Sequence, residues 1–324
     1  MIRLVQKILD SFGLKAVSIK KLEGYGSINY KIIDDHGNQY VLKFYRDQSA
    51  LHLIEEEIEF VELIKDHLPY KIPYTILKND KKIHHYEDGS FARLLPFIEG
   101  VFLADAKITP VLLNNLGRAI ALMALQLSKC EVVHVLNKQS VWDLLYALKN
   151  KEIIPLLEQS KRRKIVDHFL EQFEHIALPI LQNLPRQLIH NDFNEWNVLC
   201  NGDQICGVID LGDATVAPRI CDLAIGLAYI MQKHNSPIDV ACEVIKGYNS
   251  QITLTEKEIE ILPFLITARI VTSVCESAKA KNEGYDTEYI VISEKGGWEL
   301  LEKWIEWDPK KLVYQFKKAT EKTN

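Results

Sequence analysis

The chain has 324 residues, enough for two modest domains or one large one. Its 47% hydrophobic share supports a packed core and argues against intrinsic disorder. A net charge of −5 provides no basic excess to neutralise phosphates, which argues against nucleic acid as the main partner.

The N-terminal part has the pattern of a small β-rich unit that follows an amphipathic helix. The opening segment MIRLVQKILDSFGL mixes charges with apolar residues at helical spacing, unlike a signal peptide. Strands are predicted at SIKKLEG, NYKIIDD and QYVLKFY, and a helix at SALHLIEEEIEFVELIKDHL. Three further strands are predicted at YTILKND, KKIHHYEDG and SFARLLPFIEG, with turns at Asn79-Asp80 and Asp88-Gly89.

After Gly100 the pattern becomes mainly helical. Four helix starts or capping boxes are predicted, at Thr109-Pro110, Ser140 with Asp143, Thr255 with Glu258, and Asp308-Pro309. One strand pair, VLCN and ICGVID, interrupts the helices. No apolar stretch is long enough to predict a membrane span. The six cysteines form no CxxC pair, which predicts reduced thiols in a cytoplasmic protein.

The segment LIHNDFNEWNVLCNGDQICGVIDLGD, residues 188–213, concentrates polar side chains at the ends of two predicted strands. Phosphoryl transfer needs a carboxylate that orients a hydroxyl and accepts its proton, and it needs hard oxygen ligands for magnesium. The pattern HxDxxxxN, followed by a strand and another Asp, supplies both. An Asx-rich turn that caps a hairpin is the alternative, but both strand contexts favour the functional interpretation.

This motif resembles that of the aminoglycoside phosphotransferase and choline kinase superfamily, whose fold is protein-kinase-like. The resemblance extends upstream to Gly24-Tyr25-Gly26, YVLKF and RLLPFIEG, and downstream to ICDLAIGLAYIM and YIVISEKGGWELLEKW. Within the superfamily it looks most like the hydroxylysine kinase and aminotransferase-fused kinase branch. It implies an α+β, two-lobe fold with a β-rich nucleotide-binding lobe over residues 1–93, a hinge over 94–100 and a helical catalytic lobe over 101–324.

The resemblance also implies roles for residues of the motif. Asp192 matches the catalytic base, and His190 matches the histidine that supports the catalytic loop. Asn197 and Asp210 match the ligands of Mg²⁺. Asp222, at the start of a predicted helix, is interpreted as structural because an acid favours a helix N-terminus.

The nucleotide is expected to contact the N-terminal lobe and the hinge. Lys43 in YVLKF matches the lysine that contacts the α and β phosphates, although a strand-edge lysine is the alternative. Its expected partner is Glu57, with Glu56 in reserve. Leu95 and Phe97 match hinge positions whose backbone groups could pair with a purine edge, and a generic edge strand is the alternative.

The glycine loop departs from the protein-kinase pattern. Gly24 and Gly26 are present, but Asn29 stands where a protein kinase has its third glycine. As a phosphate cover the loop would offer backbone N–H groups and the Ser27 hydroxyl. A plain hairpin turn is the alternative.

The function implied is a small-molecule kinase that uses ATP or GTP to phosphorylate a hydroxyl of a small amine or amino acid, hydroxylysine-like first and homoserine second. An ammonium substrate needs carboxylates, and Glu195 and Asp213 lie near the expected base in sequence. Arg269 and Glu276, two turns apart on one predicted helix, could take a substrate carboxylate and an amine. They could equally be surface or core-edge residues. A sugar or nucleoside acceptor stays open.

Two other classes were weighed against the small-molecule kinase. A protein kinase needs room for an activation loop, but only LGDATVAPRI separates Asp210 from the next helix, and Asn191 replaces the arginine of His-Arg-Asp. An inactive kinase-like binding module would have lost Lys43, Asp192 or the magnesium ligands, and all are intact. The expected partners are therefore a nucleotide and a small hydroxylated substrate, with no membrane; a homodimer is compatible with the sequence.

Overall fold

The computed structural model describes residues 2–22, 26–130, 140–232, 234–284 and 288–321. The chain forms two compact units, one of Met1–Gly100 with Cys206–Gly212, the other of Val101–Ile205 with Asp213–Asn324. The predicted helical lobe included residues 206–212, which the structure assigns to the first unit. The physical reason is backbone pairing: Lys71 N donates to Cys206 O and Val208 N donates to Lys71 O, each at 3.0 Å.

The first unit is built on one antiparallel sheet with strand order β1-β2-β3-β5-β4. Its elements are α1 (Ile2–Ser11), β1 (Ala16–Leu22), β2 (Ile28–Asp34), β3 (Gln39–Tyr45), a 3₁₀ helix (Gln48–Ala50), α2 (Leu51–Ile64), β4 (His84–His85) and β5 (Phe91–Pro96). The prediction of a strand at YTILKND was wrong. Asn79 and Asp80 take left-handed backbone conformations there, and only an isolated bridge between Lys78 and Lys81 forms. The strand predicted at KKIHHYEDG is reduced to the two residues of β4.

Apolar side chains of α1 and α2 pack against the sheet and form two separate buried clusters in the first unit. Val5, Ile8 and Phe12 of α1 pack with sheet residues such as Ile32 and Leu42. Each such side chain contributes roughly 1.5–3 kcal/mol when it is fully removed from water. The second cluster joins Ile54 and Ile58 of α2 to Tyr45 and Phe91 of the sheet, and this fixes the helix that carries Glu57.

The second unit is mainly helical. Its elements are β6 (Val101–Phe102), a 3₁₀ helix (Leu103–Asp105), α3 (Pro110–Leu127), a 3₁₀ helix (Leu144–Leu156), α4 (Ser160–Gln172), a π-helical turn (Phe173–Ala177), α5 (Leu178–Leu181), β7 (Arg186–Ile189), β8 (Val198–Asn201), β9 (Gln204–Val208, which ends in the first unit), β10 (Thr215–Pro218), α6 (Ile220–Ile230), α7 (Pro237–Asn249), α8 (Glu256–Asn282), α9 (Glu288–Trp304) and α10 (Pro309–Thr320).

Strand pairs in this unit exceed the single pair predicted. β7 and β10 pair antiparallel from Thr215 opposite Ile189 to Pro218 opposite Arg186, and β6 pairs with β8. The β7–β10 pair matters for the site, because β7 leads directly into the His190–Asn197 loop.

Three of the predicted helix starts are confirmed and one is wrong. The Thr109 hydroxyl accepts from Leu112 N, Thr255 and Glu258 form a capping box, and Asp308 accepts from Lys310 N. Ser140 and Asp143 do not form a box. Asp143 itself caps the Leu144–Leu156 helix, because its Oδ1 accepts from Leu145 N at 2.9 Å.

Helix α3 is, among the described residues, the one helix long and apolar enough to cross a membrane by length and composition. In the structure it is a core helix that crosses α7 at two glycines. A Cβ on Gly117 would lie 1.9 Å from Val244 O, and one on Gly247 would lie 1.9 Å from Asn114 O. Only glycine permits so close a backbone contact.

Candidate active site

A buried carboxylate, that of Asp222, holds the backbone at the start of the His190–Asn197 loop. Asp222, in the first turn of α6, accepts from His190 N at 2.9 Å and from Asn191 N at 2.7 Å. Burial raises the pKa of Asp222, while His190 and these backbone donors act in the opposite direction. Asn191 has a left-handed backbone with φ 66°, a conformation that Asn tolerates better than most residues. Asp222 therefore orients the loop, in agreement with its structural interpretation.

Asp192 is held through both carboxylate oxygens. Arg269 Nη2 donates to Oδ1 at 2.9 Å, while Asn194 Nδ2 and Asn197 Nδ2 donate to Oδ2 at 2.9 and 2.7 Å. The Asp192 backbone N donates to His190 Nδ1 at 3.2 Å, which makes that ring nitrogen an acceptor. These bonds fix the carboxylate of the expected base in one orientation.

Arg269 is bonded to Asp192. The sequence had suggested instead that Arg269 could bind a carboxylate of the substrate. Its side chain is 2% exposed, its Nη1 donates to Trp142 O at 2.7 Å, and its guanidinium lies 4.7 Å from the centroid of the Trp142 ring. Burial alone would lower the pKa of Arg269, but Tyr229 and Asp192 outweigh it and the pKa is raised. Both terminal nitrogens are thus engaged by the protein, so Arg269 is placed to position Asp192.

Asn197 presents an oxygen that suits a hard metal ion. Its Nδ2 donates to the Asp192 carbonyl at 3.0 Å as well as to the carboxylate, and this leaves Oδ1 as the atom the side chain can offer. Asp210, in the first unit, supplies a carboxylate from a left-handed position with φ 63°. Amide and carboxylate oxygens are ligands that Mg²⁺ accepts. No group of three or more His, Cys, Asp or Glu that could hold a metal occurs among the described residues.

In the first unit two ion pairs lie side by side on the sheet. Lys43 Nζ is 3.1 Å from Asp210 Oδ1. Burial alone would lower the pKa of Lys43, but Asp210 and the other nearby anionic groups outweigh it, and the pKa is raised. Glu57, the expected partner of Lys43, instead accepts from Arg93 Nη2 at 2.7 Å. Glu57 therefore forms its ion pair with Arg93, which stands directly opposite Lys43 on β5, while the charge of Glu57 still acts on Lys43.

Arg93 is a residue that the sequence analysis missed. It is 2% exposed, and its Nε donates to the Tyr45 hydroxyl at 3.2 Å. The signal was present in the sequence, since Arg93 lies within the apolar strand FARLLP as Lys43 lies within YVLKF. A cation in a buried strand calls for an acid partner.

The remaining nucleotide-binding residues are placed as follows. Gly24 lies outside the described residues. Gly26 has φ 74°, and the Ser27 hydroxyl donates to Asn29 Oδ1 at 2.8 Å. Leu95 is buried in β5, and Phe97 N donates to Gln39 O at 3.1 Å. That Phe97 N–H is used within the sheet, so it is not the donor that the hinge prediction required.

The predicted substrate residues are not all brought together. Asp213 is exposed and lies close enough to Arg269 to influence its pKa. The Glu195 carbonyl accepts a hydrogen bond from Ala104 N at 3.0 Å. The negative charges of Glu195 and Asp192 both act to raise the pKa of Tyr229. Glu276 has a buried Oε1 with no hydrogen-bond partner among the described residues, and burial raises its pKa. The described contacts include none that links Glu276 to Arg269.

Comparison with known families decides the class of this arrangement. The model of the APH phosphotransferase enzyme family matches residues 18–243, more than two thirds of the chain. The chain belongs to this phosphotransferase family. The match includes the His190–Asn197 loop, Lys43 and Asp210, whereas Arg269 lies beyond the matched residues.

Curated relatives of this phosphotransferase align with it over most of both chains. Hydroxylysine kinase of Xenopus laevis is 26% identical, with 92% of this chain and 87% of the relative covered. Hydroxylysine kinase of Bos taurus is also 26% identical, with 90% and 85% covered. Homoserine kinase of Agrobacterium fabrum is 27% identical, with 70% and 72% covered. The chain is therefore similar to small-molecule kinases over nearly its whole length.

Solved structures agree on the fold. An amicoumacin kinase in complex with AMP-PNP and Ca²⁺ aligns with a TM-score of 0.68 at 15% identity, covering 95% of this chain and 96% of the other. A microcompartment-associated aminopropanol kinase aligns with a TM-score of 0.60 at 15% identity, covering 99% and 95%. The α+β protein-kinase-like fold is confirmed.

Proposed function

We propose that this phosphotransferase transfers the γ-phosphoryl group of ATP to a hydroxyl of a small amine or amino acid, hydroxylysine-like molecules first and homoserine second. The observation that carries the proposal is the Asp192 carboxylate, fixed by Arg269, Asn194 and Asn197 in the family's base position. The similarity to hydroxylysine kinases along nine tenths of the chain supports this order of acceptors. GTP is the alternative donor.

The mechanism follows from the hydrogen bonds around Asp192. The carboxylate orients the acceptor hydroxyl toward the γ-phosphorus and takes its proton as the acceptor oxygen bonds to that phosphorus. The bond from the γ-phosphorus to the β–γ bridging oxygen breaks in the same step, and ADP leaves. Catalysis is then mainly positioning and electrostatic stabilisation, with a turnover of roughly 1–100 s⁻¹ on a good substrate. Arg269 holds the base in this orientation through Oδ1.

Nucleotide and metal are assigned to residues whose atoms suit them. Lys43, a half-buried cation beside Asp210, is proposed to contact the α and β phosphates. Asn197 and Asp210 are proposed to hold Mg²⁺ through oxygen. When bound, the metal ion neutralises charge on the phosphates.

The short segment after Asp210 supports a small acceptor over a protein. It is occupied by a 3₁₀ turn (Leu211–Asp213) and by β10, which pairs with β7 before α6 begins at Ile220. A protein kinase uses the corresponding segment for an activation loop. Here its residues are already committed to regular structure.

Location and assembly stay predictions. None of the six cysteines, all of them among the described residues, is in a disulfide, and three of them, Cys200, Cys221 and Cys275, are buried. Free buried thiols are typical of reducing compartments, which supports the proposed cytoplasmic location.

An acceptor screen with the purified protein tests the proposed function. ATP and GTP are each offered with hydroxylysine, homoserine and a neutral sugar, and phosphorylated product is measured. Asp192→Ala should lower kcat by roughly 10²–10⁴-fold, because it removes the base, while ATP still binds. Asp239→Ala, an exposed aspartate in the first turn of α7, is the control and should keep wild-type activity. Phosphorylation of the sugar alone, or an active Asp192→Ala, would contradict the proposal.

A further inference from the structure

A small cavity opens beside the catalytic loop, entirely within the second unit. Its volume is about 10 Å³, room for roughly one water-sized group. Six residues line it: Ser140, Trp142, Asp143, Asn191, Asp213 and Thr215. Asp213 is exposed, whereas Asp143, Asn191 and Thr215 are buried, so the cavity runs from the surface to a polar floor.

The floor contains a hydrogen-bond acceptor without a donor. Asn191 is 3% exposed, and its Oδ1 has no hydrogen-bond partner among the residues that the structure describes. The side chain is not loosely placed, because Asp222 holds the Asn191 backbone N–H at 2.7 Å. Buried polar atoms almost always find a partner, so this oxygen calls for a donor that enters the cavity.

The other lining groups favour a donor that carries positive charge. The Asp143 carboxylate is buried and is bonded to Leu145 N and the Thr215 hydroxyl, and burial raises its pKa. Asp213 adds a second carboxylate at the open end. The cations nearby are Arg269, already bound to Asp192 and the Trp142 carbonyl, and Arg186, which is exposed. The charges of Arg186 and Arg269 already act on Asp143, and a cation within the cavity would stabilise this buried carboxylate further, beside the exposed carboxylate of Asp213.

Trp142 connects this cavity to the base. Trp142 lines the cavity, and its carbonyl accepts from the same Arg269 that holds Asp192. Asn191 immediately precedes Asp192 in the chain. A group bound in the cavity would therefore contact residues that are directly connected to Asp192 and to the Arg269 that orients it.

We infer that this cavity is the subsite for the ammonium group of the acceptor, with Asn191 Oδ1, Asp143 and Asp213 as its hydrogen-bond acceptors. A primary ammonium group is water-sized, has three N–H donors and matches these three acceptors. The inference rests on the proposed function, because it requires an amine acceptor. It keeps Asp213 from the earlier expectation and replaces Glu195 and Glu276 with Asp143 and Asn191.

Two variants each change one residue that lines the cavity. Asn191→Gly removes Oδ1 and keeps a residue suited to φ 66°. Asp143→Asn removes the charge and keeps an oxygen for the helix cap, since Asn caps as well as Asp. Asn79→Gly is the matched control, because Asn79 also has a left-handed backbone, with φ 49°, and belongs to the first unit.

The readout is discrimination among hydroxylysine and two analogues, one without the α-amino group and one without the ε-amino group. Wild type should prefer hydroxylysine over one of these analogues. Asn191→Gly and Asp143→Asn should each lower kcat/KM for hydroxylysine by roughly 10- to 100-fold, the worth of a hydrogen bond to a charged group. For the analogue that lacks the recognised amine, kcat/KM should change by less than about threefold. Asn79→Gly should retain the wild-type preference.

The two modes of failure are distinct. Equal losses for all three acceptors, or an unchanged preference, would show that the cavity holds only a structural water and would overturn the inference. A wild-type enzyme that phosphorylates no hydroxylated amine would refute the proposed acceptor class, and the ammonium subsite with it.

Discussion

Lys43 and Arg93 stand opposite each other on β3 and β5, and each cation has its own acid. The family resemblance predicts the role of Lys43 but assigns it Glu57, because sequence spacing cannot show which of two neighbouring cations reaches the helix acid. The same limit applies to Arg269. Its place on α8 follows from the sequence, whereas its bond to Asp192, 77 residues away, is a product of the tertiary fold.

At this scale the Arg93–Glu57 pair gives the first stability prediction. Arg93→Met leaves Glu57 buried without its cation, and breaking a buried pair in this way costs about 3–5 kcal/mol. The double variant Arg93→Met with Glu57→Met should recover most of this loss, since apolar side chains of similar size can replace a buried ion pair. Urea denaturation measures the free energy of unfolding of each variant.

The exposed pair Lys317–Glu256, at 2.8 Å, is the matched control, and Lys317→Met should change the unfolding free energy little because solvent screens that pair. If Arg93→Met lowers the unfolding free energy no more than Lys317→Met does, or if the double variant is as unstable as Arg93→Met alone, the buried pair does not stabilise the fold in this way.

At the scale of elements, the sequence predicted helix starts better than it predicted which strands pair. Thr109, Thr255 and Asp308 mark helix starts through side-chain caps, which depend only on neighbouring residues. Strands were harder. β7 and β10 have four residues each and pair across 25 residues of intervening chain, too short and too distant for periodicity to detect.

Helix α3 passes α7 at Gly117 and Gly247, and this contact gives the second stability prediction. Ala at either position would place a Cβ 1.9 Å from a backbone carbonyl of the other helix, so the helices must separate. We expect a loss of about 3 kcal/mol or more for each variant, at or above the upper range for overpacking. Thermal denaturation of the purified variants measures it.

Gly226→Ala provides the comparison within the same unit. Its Cβ would meet the flexible end of Ile120 at 2.8 Å, which can rotate, and Ala gains up to about 1 kcal/mol of helix propensity over Gly. Its melting temperature should stay near that of wild type. Equal effects at positions 117 and 226 would mean that the close crossing does not limit stability.

At the scale of the whole molecule, the sequence predicted the class of fold and the identity of the motif residues, because these are carried by short contiguous patterns. It did not predict that residues 206–212 join the first unit, since that depends on the pairing of Lys71 with Cys206 and Val208. This pairing puts Asp210 in the same compact unit as Lys43. The first unit therefore carries both the cation proposed to contact the phosphates and the carboxylate proposed to hold the metal.

Ligand-linked stability of the whole chain tests that assignment. A ligand that binds only the folded state at about 100 times its Kd stabilises the protein by about 2.7 kcal/mol, so ATP should raise the melting temperature, and ATP with Mg²⁺ should raise it further. Asp210→Asn should remove the additional shift due to Mg²⁺, because it removes a charged oxygen ligand. Lys43→Met should reduce the shift with and without metal, because the phosphates lose their cation. Asp35→Asn, which alters a half-exposed carboxylate in the β2–β3 turn, should behave as wild type. A full Mg²⁺-dependent shift in Asp210→Asn would exclude Asp210 as a metal ligand, while the Lys43→Met result would still report on the phosphate site independently.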